Sequence, residues 1–297
     1  MKMKKLILTG VFSSIVLVGS LAAQEQKPNW KTGGSYGANF SQVGLKDWSG
    51  GGESSMSLSL FTDYFANYRK GKYSWDNELE LAYGLTKQGD EKNSVRKSDD
   101  KIAFTTKAGR DFVEFWQYTA LAEFKTQFAK GYKYDVDSDG DGVADIDKVQ
   151  SSEFLAPAYL TVALGIEYKP NDNFFVFISP LSSKSTFVLD DKLSDAGAYG
   201  VNPGDSRRSE VGAYLNAMYK RALMENVKFQ TKLNLFNNYK DPFLDISWQT
   251  QLLMKVNEYI SASFSTHLIY DDDIKDKDGD TALQFKEVLA VGILYNF

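Results

Sequence analysis

The chain is 297 residues long, with a formal charge of −5, no cysteine, and an aromatic content of 14% that includes 17 Tyr and 20 Phe. Without cysteine there is no disulfide framework, no thiolate metal site and no lipid held through an N-terminal Cys, and the acidic balance argues against nucleic acid as a partner. Beyond the leader no segment is long and apolar enough to cross a membrane as a helix, so a membrane protein of this sequence must cross with strands.

The leader comes first in chain order. Lys2, Lys4 and Lys5 precede an apolar run from Leu6 to Leu21, and Ser20-Leu21-Ala22 or Leu21-Ala22-Ala23 offers small residues for cleavage. This reads as a cleaved secretory signal over residues 1–23, with 24–297 as a single outer-membrane β-barrel domain. Losing the three lysines takes the charge from −5 to −8.

Twelve strand-like stretches follow, at about 33–41, 54–68, 73–86, 100–109, 113–131, 151–169, 173–187, 208–222, 226–239, 243–256, 259–271 and 282–297. The period is clearest from Val227 to Lys240. Val227, Phe229, Thr231, Leu233, Leu235 and Tyr239 share one face there, and Lys228, Gln230, Lys232, Asn234, Asn238 and Lys240 the other. Leu244–Val256 and Tyr73–Thr86 alternate in the same way, each long enough to cross a bilayer at a tilt. The expected fold is all-β: an antiparallel transmembrane, outer-membrane β-barrel of about twelve strands. An even strand number puts both ends of the domain on one side.

The links are asymmetric. Arg69–Lys72, Arg110–Phe112, Pro170–Asp172, Leu223–Glu225 and Asn257–Glu258 are very short. On the opposite side Gln42–Glu53, Lys87–Asp99, Tyr132–Gln150, Val188–Arg207 and Asp272–Ala282 are long, and Lys240–Pro242 is short. Short periplasmic turns and long extracellular loops are the habit of outer-membrane barrels. Tyr64, Tyr68, Tyr73, Trp75, Trp116, Tyr118, Tyr168, Tyr219 and Tyr259 fall near the short-turn ends, where a ring can sit half in lipid and half in water. Trp48–Ser55, with its three glycines, suits a tight external turn.

Three features could carry chemistry. In the loop "DVDSDGDGVADID", Asp135, Asp137, Asp139, Asp141, Asp145 and Asp147 recur mostly at alternate positions, with Gly140 and Gly142 between them. Carboxylates so spaced on a turning chain can converge on Ca²⁺, although the position of the usual bidentate Glu is Lys148; the stretch looks more like the aspartate-rich repeat of thrombospondin type 3 modules. A solvated acidic loop is the plainer alternative. "DDDIKDKDGD", Asp271–Asp280, is a weaker echo of the same pattern. The second feature is His267, which shares a face with Ser261, Ser263, Ser265 and Asp271 and raises a Ser-His hydrolase in the barrel wall against a simple polar lumen. Third, Asp76, Glu78, Glu80, Lys101, Lys107, Glu123, Lys125, Glu167, Lys228, Lys232, Asp245, Lys255 and Lys286 are expected to face inward, to plug the interior as pairs or to line an aqueous pore.

Several segments resemble a Bacteroidetes outer-membrane family catalogued as domain of unknown function 3078 (DUF3078). They are "ANFSQVGLKDWSGGGESSMS" (Ala38–Ser57), "YSWDNELELAYGL" (Tyr73–Leu85), "RKSDDKI" (Arg96–Ile102), "SEFLAPAYL" (Ser152–Leu160), "LNLFNNY" (Leu233–Tyr239) and "THLIYDDDI" (Thr266–Ile274). The resemblance implies an outer-membrane β-barrel and carries no catalytic residue. The last stretch, Glu287–Phe297, places Leu289, Val291, Ile293, Tyr295 and Phe297 toward lipid. Its Gly292, Tyr295 and Phe297 partly match the C-terminal signal read by the barrel-assembly machinery. The expectations are therefore a small-solute channel, with a plugged accessory barrel binding a partner protein or surface glycan as the alternative and a barrel-wall hydrolase as a minor one. Outer-membrane lipid and the assembly machinery are the expected partners, and Ca²⁺ in the extracellular loop the expected cofactor.

Overall fold

The computed structural model describes residues 29–45, 53–89, 94–137, 143–144, 146–241, 243–275 and 280–297. The expected signal segment lies outside the described residues. The strands are β1 (Trp30–Val43), β2 (Ser55–Lys70), β3 (Tyr73–Gln88), β4 (Val95–Val113), β5 (Trp116–Thr126), β6 (Gly131–Val136), β7 (Ile146–Ser152), β8 (Ala158–Asn171), β9 (Phe174–Phe187), β10 (Arg207–Met224), β11 (Val227–Asn238), β12 (Leu244–Lys255), β13 (Ile260–Lys275) and β14 (Thr281–Asn296). Twelve of them close an antiparallel barrel in the ring order β1-β14-β13-β12-β11-β10-β9-β8-β5-β4-β3-β2, and β6 pairs only with β7. Closure gives every wall strand a neighbour on both sides, which removes the free sheet edge that a membrane does not tolerate.

The number of wall strands is as expected, and several of the expected boundaries are not. The stretches 113–131 and 151–169 do not run through the wall: the chain leaves it after Thr126, builds the β6–β7 hairpin beyond the rim, and returns at Ala158. Side chains end the ladder there. Asp100 accepts from Phe128 N (2.7 Å) and Ala129 N (3.0 Å), while Thr126 Oγ1 donates to Pro157 O and accepts from Leu155 N, both at 3.1 Å. Alternation continues into the hairpin because a hairpin also has two faces, so period alone could not mark the rim. The Arg110–Phe112 link is likewise strand; β4 runs to Val113 and the turn is Glu114-Phe115, with Phe115 at φ 65°. At the other end β3 extends to Gln88 and β4 begins at Val95, which absorbs most of the expected 87–99 loop.

The outer wall is apolar. Leu58, Leu60, Leu164, Leu181, Val211, Trp248, Leu289, Val291, Ile293, Tyr295 and Phe297 are all exposed, a contiguous apolar surface far larger than soluble monomers tolerate. Rings meet at the short-turn end in a near-continuous chain. Trp116 lies 5.0 Å from Tyr168, Tyr168 6.4 Å from Phe174, Phe174 6.5 Å from Tyr219, and Tyr219 6.4 Å from Phe229. On the far side of the ring Trp30 lies tilted against Tyr68 (5.3 Å) and Trp75 (5.6 Å), and Tyr36 against Tyr295 (5.1 Å). This is the aromatic belt of a membrane-water boundary.

The seam between first and last strands is short, from Ser35↔Asn296 to Asn39↔Gly292, and is extended by Gly34 and Phe297, whose backbones exchange two 3.0 Å hydrogen bonds. A Cβ at Gly292 would run into the Ala38 carbonyl oxygen and the Asn39 side chain. Gly292→Leu is therefore expected to lower unfolding free energy by about 1–3 kcal/mol through overpacking, read by urea unfolding in lipid vesicles. An unchanged midpoint would show that the seam can open to accept a side chain.

Candidate functional site

The interior is unevenly filled. Leu121, Ala163, Phe177, Tyr214 and Phe236, from β5, β8, β9, β10 and β11, form a buried apolar cluster against one side of the wall. Toward the short-turn end of the same side Glu167 is fully buried, paired with the buried Lys107 and accepting 2.6 Å from Gln117 Nε2. Lys107 Nζ also lies 3.5 Å above the Phe175 ring. Near that end Asp76 takes Arg69 Nη2 and Lys169 Nζ, each at 2.8 Å.

The opposite side carries more small polar groups, with Phe61 and Phe65 on β2 and Leu253 on β12 turned inward among them. Ser261, Ser263, Ser265, His267 and Gln249 on β13 and β12, Ser35 and Asn39 on β1, and Ser57 and Ser59 on β2 all face inward and are half-buried. Between the two sides runs a bridge. Lys232 Nζ on β11 donates to Glu78 Oε1 (2.9 Å) and Glu80 Oε1 (2.6 Å) on β3, and Lys101 pairs with Glu80. β10, β9, β8, β5 and β4 separate β11 from β3 one way round, and β12, β13, β14, β1 and β2 the other, so Lys232 spans the full width of the lumen. Glu78 faces inward yet its side chain is 41% exposed, which requires water-sized space beside the bridge.

The loop end carries a second charged group. Lys184 Nζ holds Asp245 (2.7 Å) and Asp271 (2.9 Å), and Arg208 pairs with Asp273 and, at 2.9 Å, with Glu210. The loop from 188 to 206 folds over this rim. Its helix α1 (Asp191–Asp195) is capped by Asp190, which accepts from Leu193 N at 3.0 Å, a bond that holds the exposed Asp190 carboxyl below the usual range. Val188, Leu193 and Val201 close on Ala156, and Tyr199 donates to Ser151 O at 2.5 Å. Burial pushes the Tyr199 phenol up to about 12, so it stays a donor at any physiological pH.

Of the residues expected to bind calcium, Asp135, Asp137 and Asp147 flank the tip of the β6–β7 hairpin, while Asp139, Asp141 and Asp145 lie outside the described residues. Asp135 is turned to the side, 3.1 Å from Arg96 Nη2, and Arg96 in turn lies 4.4 Å over the Tyr134 ring. His267 does not bond the serines of its own strand, which are about 7 Å apart along one face. Its Nε2 meets Ser247 Oγ at 3.0 Å and Gln249 Nε2 at 3.5 Å, both on β12. Ser247 could have been found only from the register, since Gln249 is opposite His267 and Ser247 is its diagonal neighbour.

The inward charges named from the alternation stand where expected, on both sides of one lumen and from β3 round to β14. Residues 40–132 match the family described as "Protein of unknown function (DUF3078)". The match takes in "YSWDNELELAYGL" and "RKSDDKI", whereas "SEFLAPAYL", "LNLFNNY" and "THLIYDDDI" lie beyond it. No curated protein matches the chain. Among solved structures, the COG4313 outer membrane channel from Pseudomonas putida F1 is 10% identical over 93% of this chain and 97% of that one, with a TM-score of 0.39. The translocator domain of autotransporter NalP from Neisseria meningitidis is 8% identical over 96% and 94%, also at 0.39. The NanC porin is 8% identical over 88% and 98%, at 0.38. The closed twelve-strand ring with an apolar exterior and a charged interior is an outer-membrane β-barrel fold.

Proposed function

We propose that the protein spans the outer membrane of a Gram-negative bacterium, short turns in the periplasm, and passes small hydrophilic solutes along an off-centre polar track. The observation that carries this reading is the uneven lumen: bulky buried side chains on β5 and β8–β11, half-buried serines and amides on β12, β13, β1 and β2, and the exposed Glu78 carboxylate between them. A track lined by hydroxyls and amides replaces part of a solute's hydration shell, and the Lys232 bridge narrows it to small cargo. The same bridge favours the second reading, a plugged accessory barrel that works through its loops.

In this proposal the C-terminal strand engages the barrel-assembly machinery, the outer wall takes membrane lipid, and the hairpin tip from Asp135 to Asp147 binds Ca²⁺ outside the conducting path. Planar-bilayer recording on refolded protein separates the readings. Discrete currents are expected, and Ser263→Trp, which sets a large ring into the small-residue side, should cut them severalfold. Silent bilayers with folded, inserted protein would leave the plugged barrel.

A further inference from the structure

The loop-end rim holds more carboxylate than its cations neutralise. Among the described residues, Asp245, Asp271, Asp273 and Glu210 pair with Lys184 and Arg208, and Asp272 stands beside them. Asp271 and Asp272 are neighbours in sequence and should point to opposite faces of a regular strand. The pairing of β13 with β14 slips between Tyr270 and Lys275, and this irregularity brings both carboxylates to one place. One oxygen from each of Asp245, Asp271 and Asp272 lies within 4.8 Å of the others. Two oxygens bound to one calcium ion stand at most about 5 Å apart, so the three fit a common ion.

A second observation points to a missing charge. The Asp273 side chain is only 5% exposed, yet its Oδ2 accepts no hydrogen bond and sits 3.9 Å from Lys184 Nζ, the same nitrogen that Asp245 and Asp271 hold. Glu210 Oε2 is buried without a hydrogen-bond partner as well. A buried carboxylate oxygen with no donor is costly unless a cation supplies what the protein does not.

We infer that Asp245, Asp271 and Asp272 form a binding site for a calcium-sized divalent cation at the rim of the lumen, with Asp273 drawn toward it and Lys184 as the built-in competitor. Calcium suits the set better than magnesium. Two carboxylates on a bulged strand and a third on its neighbour β12 make a pliant all-oxygen cage, whereas magnesium demands near-ideal octahedral geometry and retains its waters. Arg208 Nη1 donates to the Gly200 carbonyl oxygen at 3.5 Å and so ties the roofing loop to the same rim, where an ion would also stiffen the loop.

Calcium titration calorimetry on protein folded in detergent micelles tests this without reference to conduction. A background with Asp137→Asn, Asp139→Asn, Asp141→Asn, Asp145→Asn and Asp147→Asn removes the hairpin tip as a source of heat. One calcium per chain is expected in that background, weakened at least about tenfold by Asp271→Asn/Asp272→Asn. Lys184→Met should do the opposite and tighten binding, a gain that misfolding cannot imitate, with heat-dependent gel mobility confirming the closed barrel. No calcium heat in the background protein, heat indifferent to Asp271→Asn/Asp272→Asn, or Lys184→Met without a gain would each overturn the inference. A magnesium titration giving equal affinity would overturn the choice of ion.

Discussion

Glu167→Ala is expected to cost about 3–5 kcal/mol of unfolding free energy, the largest single loss in the barrel, because it strands Lys107 as an unpaired charge. Both groups are buried, Glu167 completely, and Gln117 loses its acceptor at the same time. The cost comes from the partner left behind, so the double variant Lys107→Met/Glu167→Leu should recover most of it by filling the space with apolar atoms beside Phe175. Urea unfolding of the single and double variants in lipid vesicles reads the difference. Equal losses in both would show that Glu167 stabilises through packing and not through its charge pair.

Lys232→Ala should change what the lumen does more than any other single substitution. Lys232 is the only described side chain bonded to both Glu78 and Glu80, and it reaches them across the full ring. Without it the bridge opens, and of the two carboxylates left beside the track Glu80 keeps its pair with Lys101 while Glu78 loses the cation it bonds. Conductance should rise severalfold, and the reversal potential under a salt gradient should move toward cation selectivity, since the constriction has lost a positive charge. Lys232→Arg keeps the charge and should stay near the parent. A silent Lys232→Ala barrel would place the obstruction elsewhere and favour the plugged reading.

Much of this architecture was legible one residue at a time. Leu233 and Lys232 face opposite ways because successive strand side chains must, and that local rule predicted the twelve wall strands and thirteen inward charges from Asp76 to Lys286, although Lys169, Lys184 and Glu210, which also turn inward, were not among them. The rule failed at Thr126 and Ala158, where side-chain caps end the wall ladder while the alternation runs on into β6 and β7. A hairpin beyond the rim alternates as a wall strand does.

The sequence by itself thus determined that the chain forms strands with one apolar and one polar face, joined by short turns on one side and longer loops on the other, ending in a strand fit to close a ring. Only the tertiary structure decided what the polar faces meet. Lys232 against Glu78 and Glu80, Ser247 against His267, and Lys184 among Asp245 and Asp271 are contacts between residues tens to more than a hundred positions apart. The physical reason is that facing is a property of the local backbone, repeated every second residue, whereas contact across a lumen depends on how many strands close the ring and with what stagger. The bulge that gathers Asp271 and Asp272 breaks the period itself, so reading the alternation alone would have sent one of them to the other face.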